Sequence, residues 1–355
     1  MRVAVVGTGM GQHHLRSAKE TPGVERVAAV DIDEQRLNES CDKWGIEHRY
    51  TSLEEMLDRE TPDVVGVATP NHTHREVAVT ALAAGAHVFC EKPMALNARE
   101  ADEMNAAARK AGRRIMIGFN QRFTEPAWAL KQEIDQGTLG DMYFGQTMWL
   151  RRYGMPKFGG WFGQKALSGG GPLIDLGVHR IDLALWLMGY PEPEWVLART
   201  YDHLAAERAA STEVLFDVED LATAFITFRN GASLQASASW AGHIREKELM
   251  ETRVMGTRGG LLHRNLEEGY RFEADLLTTR GETQYDMRIR RCRNAPRSAI
   301  GHFIECIRED RPHVATGEEG AAMMRILDAV YASAERREPV RVEWNAPPSR
   351  QSEEG

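Results

Sequence analysis

Val3-Ala4-Val5-Val6-Gly7-Thr8-Gly9-Met10-Gly11-Gln12-His13 is the stretch that decides the fold. A short, continuously apolar run ends in a glycine-rich turn, and a helical pattern follows. Such a turn lets backbone N–H groups approach a diphosphate, and the helix N-terminus adds partial positive charge. The spacing is G-x-G-x-G, and Gln12 occupies the third small position of the usual G-x-G-x-x-G. Gly7, Gly9, Met10 and Gly11 are therefore the candidate phosphate-binding positions, with a plain strand–helix turn as the alternative. A second apolar run, Val27–Val30, ends at Asp31, about 20 residues beyond the glycines. An acid there accepts hydrogen bonds from the adenosine ribose hydroxyls and repels a 2′-phosphate, which favours NAD over NADP. A helix N-cap is a compatible second role for Asp31.

Working outward, the runs Val64–Ala68, His87–Cys90 and Arg114–Ile117 alternate with helical segments Glu34–Trp44, Arg75–Ala84 and Ala98–Ala111. Strands spaced by helices of this length predict βαβ units and a doubly wound parallel sheet covered on both faces. After Phe123 the rhythm changes. A helix over Pro126–Gln136 precedes a strand over Met142–Leu150. A strongly apolar helix over Leu173–Met188 follows a glycine loop. Ala222–Arg229, Ser233–Trp240, Glu248–Val254 and Gly269–Phe272 then read as strands of a large, mostly antiparallel open sheet, and Gly320–Arg336 reads as a late helix. The predicted fold is an N-terminal Rossmann domain (residues 1–122), a C-terminal α+β domain (123–344) and a polar, disordered tail (345–355).

Bulk properties narrow the function. The chain has 355 residues with a formal net charge of −8, and no basic face suited to nucleic acid. No apolar run approaches the ~18 residues that span a bilayer, and no secretory leader is read at the N-terminus. Cys41, Cys90, Cys292 and Cys306 form no C-x-x-C pair and read as free thiols of a cytoplasmic protein. Histidines and acids show no metal-ligand spacing, so no metal is expected.

Four further segments carry a resemblance. These are Ala68-Thr69-Pro70-Asn71-His72-Thr73-His74, Cys90-Glu91-Lys92-Pro93, Gly118-Phe119-Asn120-Gln121-Arg122-Phe123 and Gly169-Gly170-Gly171-Pro172-Leu173-Ile174-Asp175-Leu176-Gly177-Val178-His179. In this order the set resembles the glucose–fructose oxidoreductase/inositol 2-dehydrogenase (Gfo/Idh/MocA) family. The resemblance implies a cofactor pocket lined by Thr69, Asn71, His74 and Glu91, with Glu91 at the nicotinamide ribose. It implies a Lys92-Pro93 turn, where a cis bond is affordable. It also implies a Lys92/Asp175/His179 catalytic set acting on a sugar-like substrate, and homodimers or homotetramers formed through the C-terminal sheet.

Alcohol oxidation needs a base while hydride leaves carbon, and His179 suits that task. Lys92 would supply charge where alkoxide develops. Asp175, four residues before His179 on the predicted helix, would share its face and orient it. The alternative is an N-terminal acid beside a solvated histidine; the preceding G-G-G loop and the upstream E-K-P favour the site. Arg122 either donates to substrate oxygens or closes an ion pair at the domain junction. Trp161 either stacks on a sugar ring or packs, and Tyr153 and Asn120 are further substrate candidates of the same kind. Arg288, Arg290, Arg291, Arg293 and Arg297 form either a solvated edge or a patch for an anionic substrate. Three activities remain open: a sugar or polyol dehydrogenase, an NAD-dependent glycoside hydrolase working by transient C3 oxidation, and a dinucleotide-binding regulator without catalysis.

Overall fold

The computed structural model describes residues 1–210 and 214–344; the tail expected at 345–355 lies outside them. The described chain divides into two units, residues 1–119 with 296–324, and residues 120–295 with 325–344. The boundary expected at Arg122 lies close to this division, and residues 296–324 group with the first unit by their contacts.

The first unit opens with β1 (Arg2–Val6), α1 (Thr8–Lys19), β2 (Arg26–Val30), α2 (Glu34–Trp44), β3 (His48–Tyr50), α3 (Leu53–Glu60) and β4 (Val64–Val67). α4 (His74–Ala83), β5 (His87–Cys90), α5 (Ala98–Ala111) and β6 (Ile115–Ile117) follow. The strands form a parallel sheet in the order β3-β2-β1-β4-β5-β6, the expected doubly wound arrangement. Four of the five residues of β1 and all four of β4 are buried. Burying a valine side chain of this kind contributes about 1.5–3 kcal/mol. Side-chain caps fix the helix starts: Asp33 accepts from the amide of Arg36, Ser52 from Glu55 and Asn97 from Glu100. The cap of α2 is therefore Asp33 and not Asp31. β3 has no counterpart in the sequence reading, because its three residues are half-buried and carry no apolar run.

The second unit contains α6 (Glu125–Asp135), β7 (Met142–Arg151), α7 (Lys165–Ser168), α8 (Val178–Leu187), β8 (Pro193–Tyr201), α9 (His203–Ala210), β9 (Leu221–Phe228) and β10 (Ser233–Ser239). β11 (Glu248–Gly256), β12 (Gly259–Leu266), β13 (Arg271–Arg280) and β14 (Thr283–Arg288) continue it. The strand expected over Gly269–Phe272 instead begins at Arg271, because Glu267 and Glu268 take left-handed φ values of 52° and 54° and turn the chain after β12. α10 (Ala299–Arg308) returns to the first unit, packs on α1 and sets Ile300 against Gly66. α11 (Gly317–Arg336) and β15 (Val340–Arg341) close the described chain.

The second sheet has nine strands in the order β14-β13-β12-β11-β7-β10-β9-β8-β15. Every pairing is antiparallel except β10 with β7. α8, buried at every position, packs against β7 and β11. The opposite face leaves Trp195, Leu197, Phe225 and Met255 43–47% exposed. The single helix expected over Leu173–Met188 is a π-helical turn, Leu173–Gly177, running into α8.

Candidate active site

The glycine turn is built for a close ligand. Gly7 precedes α1 with φ of 90°, and a Cβ there would lie 2.5 Å from the carbonyl oxygen of Ala68. A Cβ on Gly9 would meet nothing nearer than Arg36 Cδ at 4.0 Å, so the space above it is open. A Cβ on Gly11 would lie 2.9 Å from Val5 Cγ1 and 3.2 Å from Ala68 Cβ. Gly11, and not position 12, therefore provides the close helix–sheet packing of the third glycine. The N-cap of α1, Gly7, has no side chain, the first turn holds no acidic residue of its own, and Met10 is 71% exposed above it. An open glycine at a helix start without a side chain at its N-cap fits a dinucleotide diphosphate.

Asp31 is 5% exposed. Its Oδ2 accepts from Thr8 N at 2.7 Å, Thr8 Oγ1 at 2.8 Å and Arg36 Nε at 3.0 Å. Its Oδ1 accepts from Arg36 Nη2 at 2.8 Å and Asp33 N at 3.0 Å. Burial opposes the charge, but these donors outweigh it and hold the carboxyl at about 2. Asp31 thus ties the glycine turn to α2 as well as presenting charge beside it.

His14 on α1 offers Nε2 to Glu91 Oε1 at 2.7 Å and packs edge-on against Phe89. Sequence reasoning did not single His14 out, although the His13-His14 pair one turn past the glycines was a usable signal. Thr69 Oγ1 accepts from Thr73, and Asn71 is buried at the head of a 3-10 turn, Asn71–Thr73. His74, expected to line the cofactor pocket, is enclosed by protein. It is 1% exposed, with Nδ1 2.8 Å from Pro93 O and Nε2 2.9 Å from Thr69 O. Its two nitrogens face the carbonyls of two loops. Burial keeps its pKa below the usual histidine range. Lys92-Pro93 is a cis peptide, and Lys92 is half-buried beside it.

In the second unit, the turn Leu173–Gly177 carries Asp175, and α8 carries His179. Asp175 Oδ2 accepts from Trp240 Nε1 at 2.9 Å, and the ring of His179 lies 5.7 Å from that of Trp149. Both tryptophans belong to one buried cluster with Leu176, Val218, Ala238 and Met250. Asp175 and His179 therefore stand on a shared aromatic floor. The turn is fixed from behind by Glu219, which accepts from Gly171 N at 2.9 Å, Leu173 N at 3.1 Å and Tyr331 OH at 2.9 Å. Burial raises the pKa of Glu219 despite those donors.

This support explains the triple glycine. A Cβ on Gly170 would lie 1.9 Å from Tyr331 Oη, and one on Gly171 2.0 Å from the carbonyl oxygen of Glu219. Gly171→Ala should therefore destabilise the fold by about 3 kcal/mol, at the upper end of overpacking costs. Chemical denaturation measures it, and a loss below about 0.5 kcal/mol would show the turn to be pliant.

Four substrate candidates remain to be placed. Arg122 is fully buried, with Nε and Nη2 on the two oxygens of fully buried Asp182; Tyr190 Oη bridges the pair, accepting from Arg122 at 2.7 Å and donating to Asp182 at 2.8 Å. Of the two readings of Arg122, the structure shows the ion pair. Tyr153 is 73% exposed and lies under the guanidinium of Arg208. Trp161 is stacked on Phe162 at 3.9 Å between centroids. Asn120 is exposed at the start of a 3-10 turn, Asn120–Phe123. In the basic cluster, Arg288 is spent on Glu273 and Asp275, while Arg290, Arg291, Arg293 and Arg297 are exposed.

Residues 1–119 match the "Oxidoreductase family, NAD-binding Rossmann fold", and residues 131–342 match the "Oxidoreductase family, C-terminal alpha/beta domain", the two halves of Gfo/Idh/MocA. The chain belongs to the Gfo/Idh/MocA family. This Gfo/Idh/MocA protein is 31% identical to D-glucoside 3-dehydrogenase of Escherichia coli strain K12, over 94% of its length and 95% of the relative's. It is 27% identical to myo-inositol 2-dehydrogenase of Thermotoga maritima, over 97% and 99%. Among solved structures it is similar to GenD2 from gentamicin A biosynthesis in complex with NAD, with a TM-score of 0.79, 30% identity and coverage of 98% and 97%. It is a sugar or polyol oxidoreductase with a nicotinamide-dinucleotide-binding domain. No helix among its described residues is long and apolar enough to cross a membrane.

Proposed function

We propose that the enzyme oxidises a secondary ring hydroxyl of a sugar, polyol or sugar derivative, with NAD⁺ preferred. When bound, the nicotinamide supplies the hydride acceptor. His179 takes the hydroxyl proton as the C–H bond breaks, Asp175 orients the imidazole, and Lys92 offers positive charge to the developing alkoxide. Gly7, Gly9, Met10 and Gly11 hold the diphosphate, and Thr69, Asn71 and Glu91 face the nicotinamide end, with Glu91 poised by His14. The observation that carries the reading is the Asp175–His179 pair on a turn braced by Glu219 and Tyr331. A binding module has no need of an acid/base pair. The relatives' names add dehydrogenation at position 3 of a glucoside and position 2 of myo-inositol.

The preference for NAD⁺ rests on charge. Asp31 and Asp33 both lie against Arg36, at 2.8 Å and 3.7 Å. Two carboxylates against one guanidinium leave net negative charge where a 2′-phosphate would sit. Homodimers or homotetramers form through the outer face of the nine-stranded sheet, where Leu197 and Phe225 pair across β8 and β9 and stay exposed. The four buried cysteines, all thiols, suit a cytoplasmic location.

The test is stoichiometry. The enzyme is incubated with NAD⁺ and, separately, glycosides and inositols. One NADH accumulating per substrate oxidised is the expected result. Glycoside cleavage without NADH build-up would instead establish the redox-assisted hydrolase, and cofactor binding with neither product would establish the regulator.

A further inference from the structure

Beyond the aromatic floor of Asp175 and His179 lies a second polar network that sequence reasoning did not reach. Arg151, at the end of β7, pairs in register with Glu248, at the start of β11. Arg151 Nε donates to Glu248 Oε1 at 2.7 Å, and Arg151 Nη2 donates to Tyr270 Oη at 2.9 Å. Trp149 Nε1 donates to the same Oε1 at 2.7 Å, and Tyr270 Oη donates to it at 3.3 Å. A Cβ on Gly154 would fall 2.5 Å from Arg151 Cδ, so that glycine makes room for the arginine stem. The ring of Trp149, already against His179, has the Arg151 guanidinium 5.5 Å away and the Tyr270 ring 6.1 Å away. The network thus begins one indole away from the acid/base pair.

Its unused atoms are as informative as its bonds. Every side-chain hydrogen bond to Glu248 ends on Oε1, and those of Arg151 leave from Nε and Nη2. Among the described residues, Oε2 of Glu248 and Nη1 of Arg151 have no protein partner. The Arg151 side chain is 22% exposed, that of Glu248 10%. An open acceptor beside an open donor matches adjacent ring hydroxyls, one donating to Oε2 and its neighbour accepting from Nη1. A carboxylate has no proton to give Oε2 and meets its charge at close range. The guanidinium of Arg151 is already matched by Glu248, so it offers little to a second carboxylate.

We propose that Arg151, Glu248 and Tyr270 are the specificity-determining residues of this site, selecting a neutral ring bearing adjacent hydroxyls and rejecting its carboxylate-bearing counterpart. The proposal rests on the carbohydrate reading above. With NADH present, methyl β-D-glucopyranoside and methyl β-D-glucuronide are titrated into the wild type, Glu248→Gln and Arg151→Lys, with melting curves to show that each variant is folded. The wild type should bind the neutral glycoside at least tenfold more tightly. Glu248→Gln, which uncovers the arginine charge, should reduce that preference at least tenfold. Arg151→Lys, which keeps the charge and loses the planar fork, should weaken the neutral glycoside at least fivefold. Equal or tighter binding of the glucuronide by the wild type overturns the proposal alone, as does a preference that both variants leave unchanged. If NADH binds and neither sugar does, the carbohydrate reading fails, and this proposal with it.

Discussion

His179→Ala should lower kcat for alcohol oxidation by about 10³-fold, within the range of a positioned general base, and leave NADH affinity unchanged. The imidazole is 6% exposed and rests on the Trp149 ring, four residues beyond an Asp175 held by Trp240. Removing it deletes the proposed proton acceptor, a residue of the second unit. Cofactor fluorescence titration and steady-state rates separate the two effects. A variant that keeps more than a tenth of wild-type kcat would transfer the base role to Lys92.

Arg122→Met should cost about 3–5 kcal/mol of stability, because it leaves the Asp182 carboxylate buried without its cation. For a protein of this size that lowers Tm by about 5 °C. Removing both charges together, as Arg122→Met with Asp182→Leu, should recover most of the loss, since an apolar pair of similar volume fills the same space. Thermal and urea unfolding of the three variants measures this. An arginine that touched substrate would behave oppositely, raising KM in a variant of near-normal Tm.

The βαβ rhythm was legible because both faces of the first sheet are covered, so each strand is an unbroken apolar run with glycine or polar punctuation. Strands carrying mixed chemistry were not. β12 opens with two glycines, β14 is exposed at five of its six positions, and β3 is a half-buried edge. The return of α10 to the first unit was hidden for another reason. Its amphipathic pattern is local, whereas its partner, α1, lies hundreds of residues earlier. The site divides in the same way. Asp175 and His179 are neighbours in sequence and were read from one motif. The groups that hold or extend that motif reach it only through tertiary pairing: Glu219 and Tyr331 behind the glycines, Trp240 on Asp175, and Arg151 across from Glu248. Arg122 illustrates the reverse case, in which a suggestive motif position is claimed by a buried acid sixty residues away.

The most direct test of hydride transfer is isotopic. Methyl β-D-glucopyranoside carrying deuterium at C3, and inositol carrying it at C2, are each oxidised with NAD⁺, and the reduced nicotinamide is analysed by mass spectrometry. One deuterium per NADH formed, with a ketone at the labelled carbon, is the expected result for a reactive substrate. Release of the label to solvent, or substrate turnover that leaves NAD⁺ unlabelled and unreduced, would contradict it.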